Sequence, residues 1–452
     1  MLFTSLPLLT VLPLAAAQQA GSLEKEVHPK LQWSRCTADG CRQVSDSLVL
    51  DANMRWLHQV GGYRTCCDDL GWDSNVCRSS ADCTDTCAVE GAQYSAYGVN
   101  ATNDSISLRL KTSLDYASTV GSRLFLLDSA SENSYYQTFT LRGNELAFDI
   151  DLSTVACGIN SALRLVAMDA DGGVSRFPAA ANTAGAAYGT EYCDARCSRD
   201  QRFVGGKANS DGWVPSETDP SSGAGKYGAC CPEFAVWNSN AHSFSMSSHP
   251  CPQSGYHVCE GLLCNASARA PGEASSGQCD PRGCSYNPFR MGSQGFYGQG
   301  KAVDTARRFT VVTRFEDARV SQFFVQDGKT VTVPPPTWAG LPRESGLAAE
   351  TCAQVPAVFG ERDSFAEGGG WRAHAALLRR LMVLAMSISV DYDSNNRWLD
   401  SLYPPQDGAG QARGDCPVDE DAFAAVAQHP NAKVTWSNIR FGTVGSTVAL
   451  NP

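Results

Sequence analysis

The sequence predicts an all-β protein built as an antiparallel β-sandwich, and three observations carry that prediction. Apolar and polar residues alternate with a period of two along several separate runs, as in strands with one buried face. Gly-, Ser- and Pro-rich stretches separate those runs, as loops between strands do. Only one stretch carries a convincing helical pattern, which leaves sheet-on-sheet packing as the way to bury the apolar faces. Of the 452 residues 43% are hydrophobic, ample for a large core.

Taken in order, Ile106, Leu108 and Leu110 alternate with Ser105, Ser107, Arg109 and Lys111. Leu146, Phe148, Ile150 and Leu152 alternate with Glu145, Ala147, Asp149 and Asp151. Phe309 to Phe315 reads as a further strand, and Phe323 to Val333 as a hairpin turning at Asp327-Gly328, a dipeptide that favours tight turns. The helical stretch runs from Trp371 to about Leu381, with Ala373, Ala375, Ala376, Leu377 and Leu378. Val434 to Phe441 closes the series. No linker, repeat or low-complexity tract follows His28, so one domain over 18–452 is expected.

A net charge of −11 argues against nucleic-acid and anionic-membrane partners, which select basic surfaces. The first 17 residues are apolar and end in Ala15-Ala16-Ala17, which reads as a secretory signal peptide. No later apolar run approaches the roughly 20 residues of a membrane span. Nineteen cysteines fit an oxidising, extracellular compartment. In that setting Cys83-x3-Cys87 and Cys193-x3-Cys197 read as disulfide cysteines, and neither a metal nor a cofactor is expected. Asn100-Ala101-Thr102, Asn103-Asp104-Ser105 and Asn265-Ala266-Ser267 are N-glycosylation sequons.

The most informative stretch is Cys230-Cys231-Pro232-Glu233-Phe234-Ala235-Val236-Trp237-Asn238-Ser239-Asn240. It resembles the motif C-C-x-E-x-D-x-W-E-x-N of glycoside hydrolase family 7, the fungal cellobiohydrolases and endoglucanases. The resemblance continues through Asp51-Ala52-Asn53-Met54-Arg55-Trp56, Met168-Asp169-Ala170-Asp171-Gly172-Gly173 and Tyr188-Gly189-Thr190-Glu191-Tyr192-Cys193-Asp194. Further on come Cys279-Asp280-Pro281-Arg282-Gly283-Cys284, Asn287-Pro288-Phe289-Arg290-Met291-Gly292 and Trp398-Leu399-Asp400-Ser401-Leu402-Tyr403-Pro404. These segments are collinear and cover nearly all of the chain. They imply a concanavalin-like β-jelly roll with long disulfide-stapled loops over a glucan-binding cleft or tunnel. They also imply a secreted, monomeric protein whose partner is a β-1,4-glucan chain, with no separate carbohydrate-binding module.

The resemblance implies nine disulfides: Cys36–Cys41, Cys66–Cys87, Cys77–Cys83, Cys157–Cys416, Cys193–Cys231, Cys197–Cys230, Cys251–Cys279, Cys259–Cys264 and Cys284–Cys352. Cys67 is left over. Segments 198–229 and 252–278 look as long as in the tunnel-forming relatives. Trp56 and Trp398 fall where relatives carry sugar-stacking platforms, and Met54 and Ser389 replace two others. Arg123, Tyr192, Asp194, His249, Arg290 and Arg413 fall where relatives contact sugar or support the site.

The family reaction is retaining hydrolysis of β-1,4-glycosidic bonds, which uses two carboxyl groups about 5–5.5 Å apart. By resemblance Glu233 is the nucleophile position. Ala235 replaces the supporting Asp, and Asn238 replaces the general acid/base. Residues 233 and 235 share a strand face, but 238 reaches that face only through a kink or bulge. An amide hydrogen-bonds but cannot deliver a proton. The expectation is a glucan-binding relative with impaired or absent hydrolysis. The alternative is an active glucanase with a substitute acid such as His249. Arg164, Arg196 and Arg282, which replace a Tyr, a Gln and an Asp, raise a further alternative, an anionic ligand.

Overall fold

The computed structural model describes residues 18–115, 117–177, 182–264, 279–405 and 408–449. The stretch read as a signal peptide, the sequon at Asn265 and residues 265–278 lie outside them. One sheet of 17 strands dominates the described residues. Its pairing is antiparallel except where Lys30–Thr37 runs parallel to Lys433–Thr443. The expected strands are present as Ser105–Arg109, Asn144–Asp151, Phe309–Phe315 and Lys433–Thr443. The hairpin of Arg319–Gln326 and Lys329–Thr332 turns at Asp327 and Gly328. Both turn residues have positive φ, 52° and 73°, the conformation that a twist-matched two-residue turn requires.

Four adjacent strands carry the candidate site: β1 (Ile159–Val166), β2 (Glu233–Ser239), β3 (Phe244–His249) and β4 (Leu381–Val390). They lie side by side in the order β4, β1, β2, β3. Their apolar face packs on the strands of the opposite layer. Phe234 meets Phe315 edge-on at 5.3 Å, and Trp237 meets Phe148, Phe309 and Phe324 at 6.2, 6.2 and 5.8 Å. Trp237 also stacks on Phe244 at 4.8 Å and has no solvent exposure. Aromatic rings bury the most area per residue, so this cluster anchors the two layers.

Two elements differ from the sequence reading. The helix begins at Gly370 and ends at Leu377, and Leu381 opens β4 instead of closing the helix. Strand β4 is buried on both faces along Met382–Met386, so it reads as a continuous apolar run without alternation. A longer helix, Ala349–Phe359, was not anticipated. Pro356 lies inside it, near its C-terminal end, and a proline argues against a helix interior when only the sequence is read. No described helix is long and apolar enough to cross a membrane.

All nine expected disulfides are present. Cys193–Cys231 and Cys197–Cys230 staple the loop 193–197 to the start of β2. Cys251–Cys279 holds the segment after β3 beside Asp280. Cys67 is free and buried, and burial pushes its thiol up to about 11. It is therefore protonated and shielded at neutral pH. A maleimide is expected to label no thiol on the folded protein and one per chain after denaturation without reductant. Labelling of the native chain contradicts this placement.

Two buried carboxyls lie close behind the candidate site. Burial pushes Glu191, two residues before Cys193, up to about 7, and it does the same to Asp400 beside Leu399. Unfolded carboxyls titrate near pH 4. The folded chain therefore binds more protons between about pH 4 and 7, and these groups make stability fall as pH rises through that window. Glu191 Oε1 accepts from the Gly206 N–H at 2.8 Å, a bond that a glutamine oxygen can keep. Glu191→Gln is expected to gain Tm relative to the parent as pH rises from about 5 to about 8. A difference that stays flat or shrinks rejects the burial argument.

Candidate active site

The site is organised by one irregularity in β2. Against β1, Trp237 pairs with Leu163 while Ala235 pairs with Arg164, so Val236 is an extra residue. Against β3 the register shifts in the same place, Ala235 facing Ser247 and Asn238 facing Ser245. This is a β-bulge, and it supplies the kink that the sequence required. Phe234, Val236 and Trp237 belong to the hydrophobic core, whereas Asn238 joins Glu233 among the polar groups of the other face. A bulge leaves backbone groups without ladder partners. Here the Val236 carbonyl accepts from Gln322 Nε2 at 2.8 Å, reaching across from the opposite layer.

Glu233 is 4% exposed, and one residue bridges it to Asn238. Arg164, opposite Ala235 on β1, places Nη1 3.8 Å from Glu233 Oε1. Its Nη2 donates to Asn238 Oδ1 at 3.1 Å. Asn160, four residues earlier on the same face of β1, donates to the same oxygen at 3.2 Å. Glu233 Oε2 is buried and accepts no hydrogen bond from the described residues.

His249 places Nε2 3.9 Å from Glu233 Oε1. Its Nδ1 lies 3.1 Å from the Asp280 carbonyl oxygen and its Nε2 2.7 Å from Ser247 Oγ. A carbonyl only accepts, so Nδ1 carries the proton of the neutral ring, and Nε2 accepts from the serine hydroxyl. The neutral imidazole thus presents no proton towards Glu233.

The disulfide-stapled loop covers this face. The Asp194 carbonyl accepts from the Cys231 and Cys197 N–H groups, which fixes the loop to β2. The Asp194 side chain accepts from Tyr192 Oη at 3.3 Å and from the Arg196 N–H at 3.0 Å. Burial first, and then the charge of Glu233, pushes the Asp194 carboxyl above the usual range. Arg123 lies 3.4 Å above the Tyr192 ring and is paired with Asp51 at 2.6 Å.

A cleft of about 800 Å³ runs past these groups. Arg123, Arg164, Tyr192, Asp194, Arg196 and Trp398 are among its lining residues. The Trp398 indole N–H is buried and has no hydrogen-bond partner among the described residues. The described lining includes five arginines and seven aspartates, so the added arginines do not make it cationic, and an anionic ligand gains no support.

Glu233, Ala235, Asn238 and His249 are buried and are not among the lining residues, nor are Trp56, Arg290 and Arg413. Trp56 is half-buried, stacks on His58 at 4.3 Å and donates to Thr65 Oγ1. Arg290 and Arg413 share Glu361, at 2.6 and 3.4 Å. Burial, and then the neighbouring Arg290 charge, pushes Arg413 down to about 9. Asn160 escaped the sequence reading. Its signal was a polar residue at an even spacing from Arg164, among the apolar residues of Ile159–Val166.

Comparison with known proteins places this architecture. The model of glycosyl hydrolase family 7 matches residues 20–448. A cellobiohydrolase from Melanocarpus albomyces, solved with cellotetraose, is 48% identical, with TM-score 0.90, over 95% of this chain and 100% of that one. A family 7 cellobiohydrolase from Daphnia pulex is 36% identical, with TM-score 0.91, over 95% and 100%. The endocellulase EGI of Humicola insolens is 31% identical, with TM-score 0.79, over the same shares. A sheet folded as a β-jelly roll, nine disulfides, a long cleft and a match over most of its length together make this chain a member of glycosyl hydrolase family 7.

Proposed function

We propose that this protein is a secreted, single-domain β-1,4-glucan-binding member of its family in which hydrolysis is strongly impaired. One observation carries the reading. The residue that the bulge turns to the side of Glu233 is Asn238, whose Oδ1 already accepts two hydrogen bonds. An amide there can hold a glycosidic oxygen but cannot protonate it. Loss of general acid catalysis removes about 10²–10⁴-fold in rate, and Ala235 adds to the deficit by withdrawing a carboxylate beside Glu233. The means of gripping a glucan are retained in this reading. Trp398 offers an apolar ring to the cleft, and Arg123, Tyr192 and Asp194 add polar contacts. The endo- or exo-acting habit of relatives then matters less than the length of chain the cleft can hold.

A second reading, an active glucanase using His249 as its acid, has one observation in its favour, the 3.9 Å approach to Glu233. It requires the imidazolium, because the neutral ring keeps its proton on the Asp280 side.

Cellohexaose incubated with the parent protein is expected to remain intact, as it does with Glu233→Gln, while both bind it with equal affinity. Cleavage by the parent alone would establish the second reading. Trp398→Ala is expected to weaken binding by up to roughly tenfold, since stacking contributes about 0.5–1.5 kcal/mol. An unchanged affinity removes Trp398 from the binding surface.

An aryl β-cellobioside with a very good leaving group needs no acid in its first step. Glu233 is expected to take up one cellobiosyl unit, visible by intact mass and absent from Glu233→Gln. The adduct should persist, because no carboxylate stands at 238 to activate water. Absence of the adduct means that Glu233 is no longer a competent nucleophile.

A further inference from the structure

Position 238 has been altered twice, once in its own side chain and once in its surroundings. Arg164 comes from the strand alongside, opposite Ala235, and its side chain is 19% exposed where it lines the cleft. One guanidinium thus spans the two positions on which the family reaction depends, 3.1 Å from Asn238 Oδ1 and 3.8 Å from Glu233 Oε1. Asn160 adds a second donor to Asn238 Oδ1 at 3.2 Å. Both hydrogen bonds to Asn238 Oδ1 therefore come from donors, one of them permanently charged. Such surroundings suit an amide oxygen and suit an ionised carboxylate still better.

A general acid needs the opposite environment, one that keeps its proton on until the leaving group departs. A cation within about 4–6 Å lowers a carboxyl pKa by about 1–3 units, and donors directed at its oxygens lower it further. We propose that Arg164 is a charge clamp: it holds whatever stands at 238 as a hydrogen-bond acceptor and bars that position from donating a proton. The inference rests on the reading of Asn238 as the acid/base position and goes beyond it. Restoring the carboxyl alone leaves the acid disabled, and Arg164 is a positioning residue that must change as well.

The other charged and titratable groups on this face are Glu233 on the same strand, His249 on β3, Tyr192, Asp194 and Arg196 on or beside the stapled loop, Arg123 over the Tyr192 ring, and Asp391 just beyond β4. All of them are common to the variants below, but Glu233 also faces Arg164, so its carboxyl is followed in the same titration as the one at 238. The separation of Arg164 from Asn238, 3.1 Å, is also the shortest contact any cation among them makes with that side chain.

The test compares Ala235→Asp/Asn238→Glu in three backgrounds: native Arg164, Arg164→Lys and Arg164→Gln. The carboxyl introduced at 238 is titrated by carbon-13 NMR of labelled glutamate, with Asn238 parent spectra for assignment. It is expected to titrate about 1–3 pH units lower with Arg164 or Arg164→Lys than with Arg164→Gln. Hydrolysis of cellohexaose should follow. The Arg164→Gln background should be at least tenfold faster near pH 6, with the alkaline limb of its pH profile moved upward by the same amount. Adduct formation from the activated aryl cellobioside, which needs no acid, reads out separately what each change of Arg164 does to Glu233, 3.8 Å away.

Equal titration in the three backgrounds overturns the clamp. A titration difference with no cellohexaose cleavage in any background, while the aryl adduct still forms, overturns the acid-position reading and with it the consequence drawn for catalysis. Full hydrolysis with Arg164 in place, on an unshifted pH profile, also overturns the clamp. A merely structural role for Arg164 would lower folded yield or Tm but would not move the alkaline limb.

Discussion

Val236 has no partner residue on the neighbouring strand, and the geometry of the site follows from that one insertion. A regular strand would turn residue 238 away from Glu233, towards the core that Trp237 fills. The bulge lets Trp237 keep its place among Phe148, Phe244, Phe309 and Phe324 while Asn238 turns back to the side of Glu233, where both meet Arg164. Gln322 makes the insertion tolerable, because it supplies the donor that the Val236 carbonyl would otherwise lack in a dry interior. The aromatic core, the Gln322 amide and the cleft face are thus one mechanical unit. The two disulfides at Cys230 and Cys231 extend it, tying the loop that carries Tyr192, Asp194 and Arg196 to the residues just before the same strand.

Charge within the cleft is arranged in compensating sets. Arg123 is paired with Asp51, Arg196 with Asp391, and Arg164 is shared between Glu233 and Asn238. Arginine suits such places because its fork reaches two acceptors at once and its planar face lies well on an aromatic ring, as Arg123 does on Tyr192. The price of a buried carboxylate is high unless a cation or donors stand near it. At Asp194 the donors and nearby arginines do not offset the cost, and burial followed by the charge of Glu233 leaves its carboxyl raised.

Much of the fold was legible in the sequence because alternation reports a strand with one wet face. That signal located Ser105–Arg109, Asn144–Asp151 and the hairpin at Asp327-Gly328. It failed for β4, which is dry on both faces and so shows no alternation, and a helix of eleven residues was hidden by Pro356. The disulfide pairing came through family resemblance, since spacing does not select among so many connectivities. The candidate site was named residue by residue through resemblance, but its contacts were not legible, and Asn160 was missed. The sequence required a bulge before Asn238 without saying which residue is inserted. Nothing in it showed that Arg164 and Asn160 converge on one oxygen, because that depends on the register of β1 against β2.

A retaining site is an arrangement against stability, in which carboxylates are crowded on one buried face and their repulsion keeps one of them protonated. In the reading proposed here this chain has relaxed that arrangement. A methyl group stands at 235, an amide at 238, and a guanidinium has moved between them and Glu233. Each change removes a negative charge or adds a positive one where Glu233 and Asp194 already repel. Mutations at functional sites that give up catalysis commonly gain stability, and this face has the form such a trade would leave. The disulfide frame, the bulge and Trp398 do not depend on those charges, so the proposed reading keeps a glucan-holding fold while its proton chemistry is dismantled. On that argument the two losses are coupled. Once Arg164 occupies the face, a carboxyl returned to 238 is captured as its counter-ion, and the way back to catalysis runs through Arg164 first.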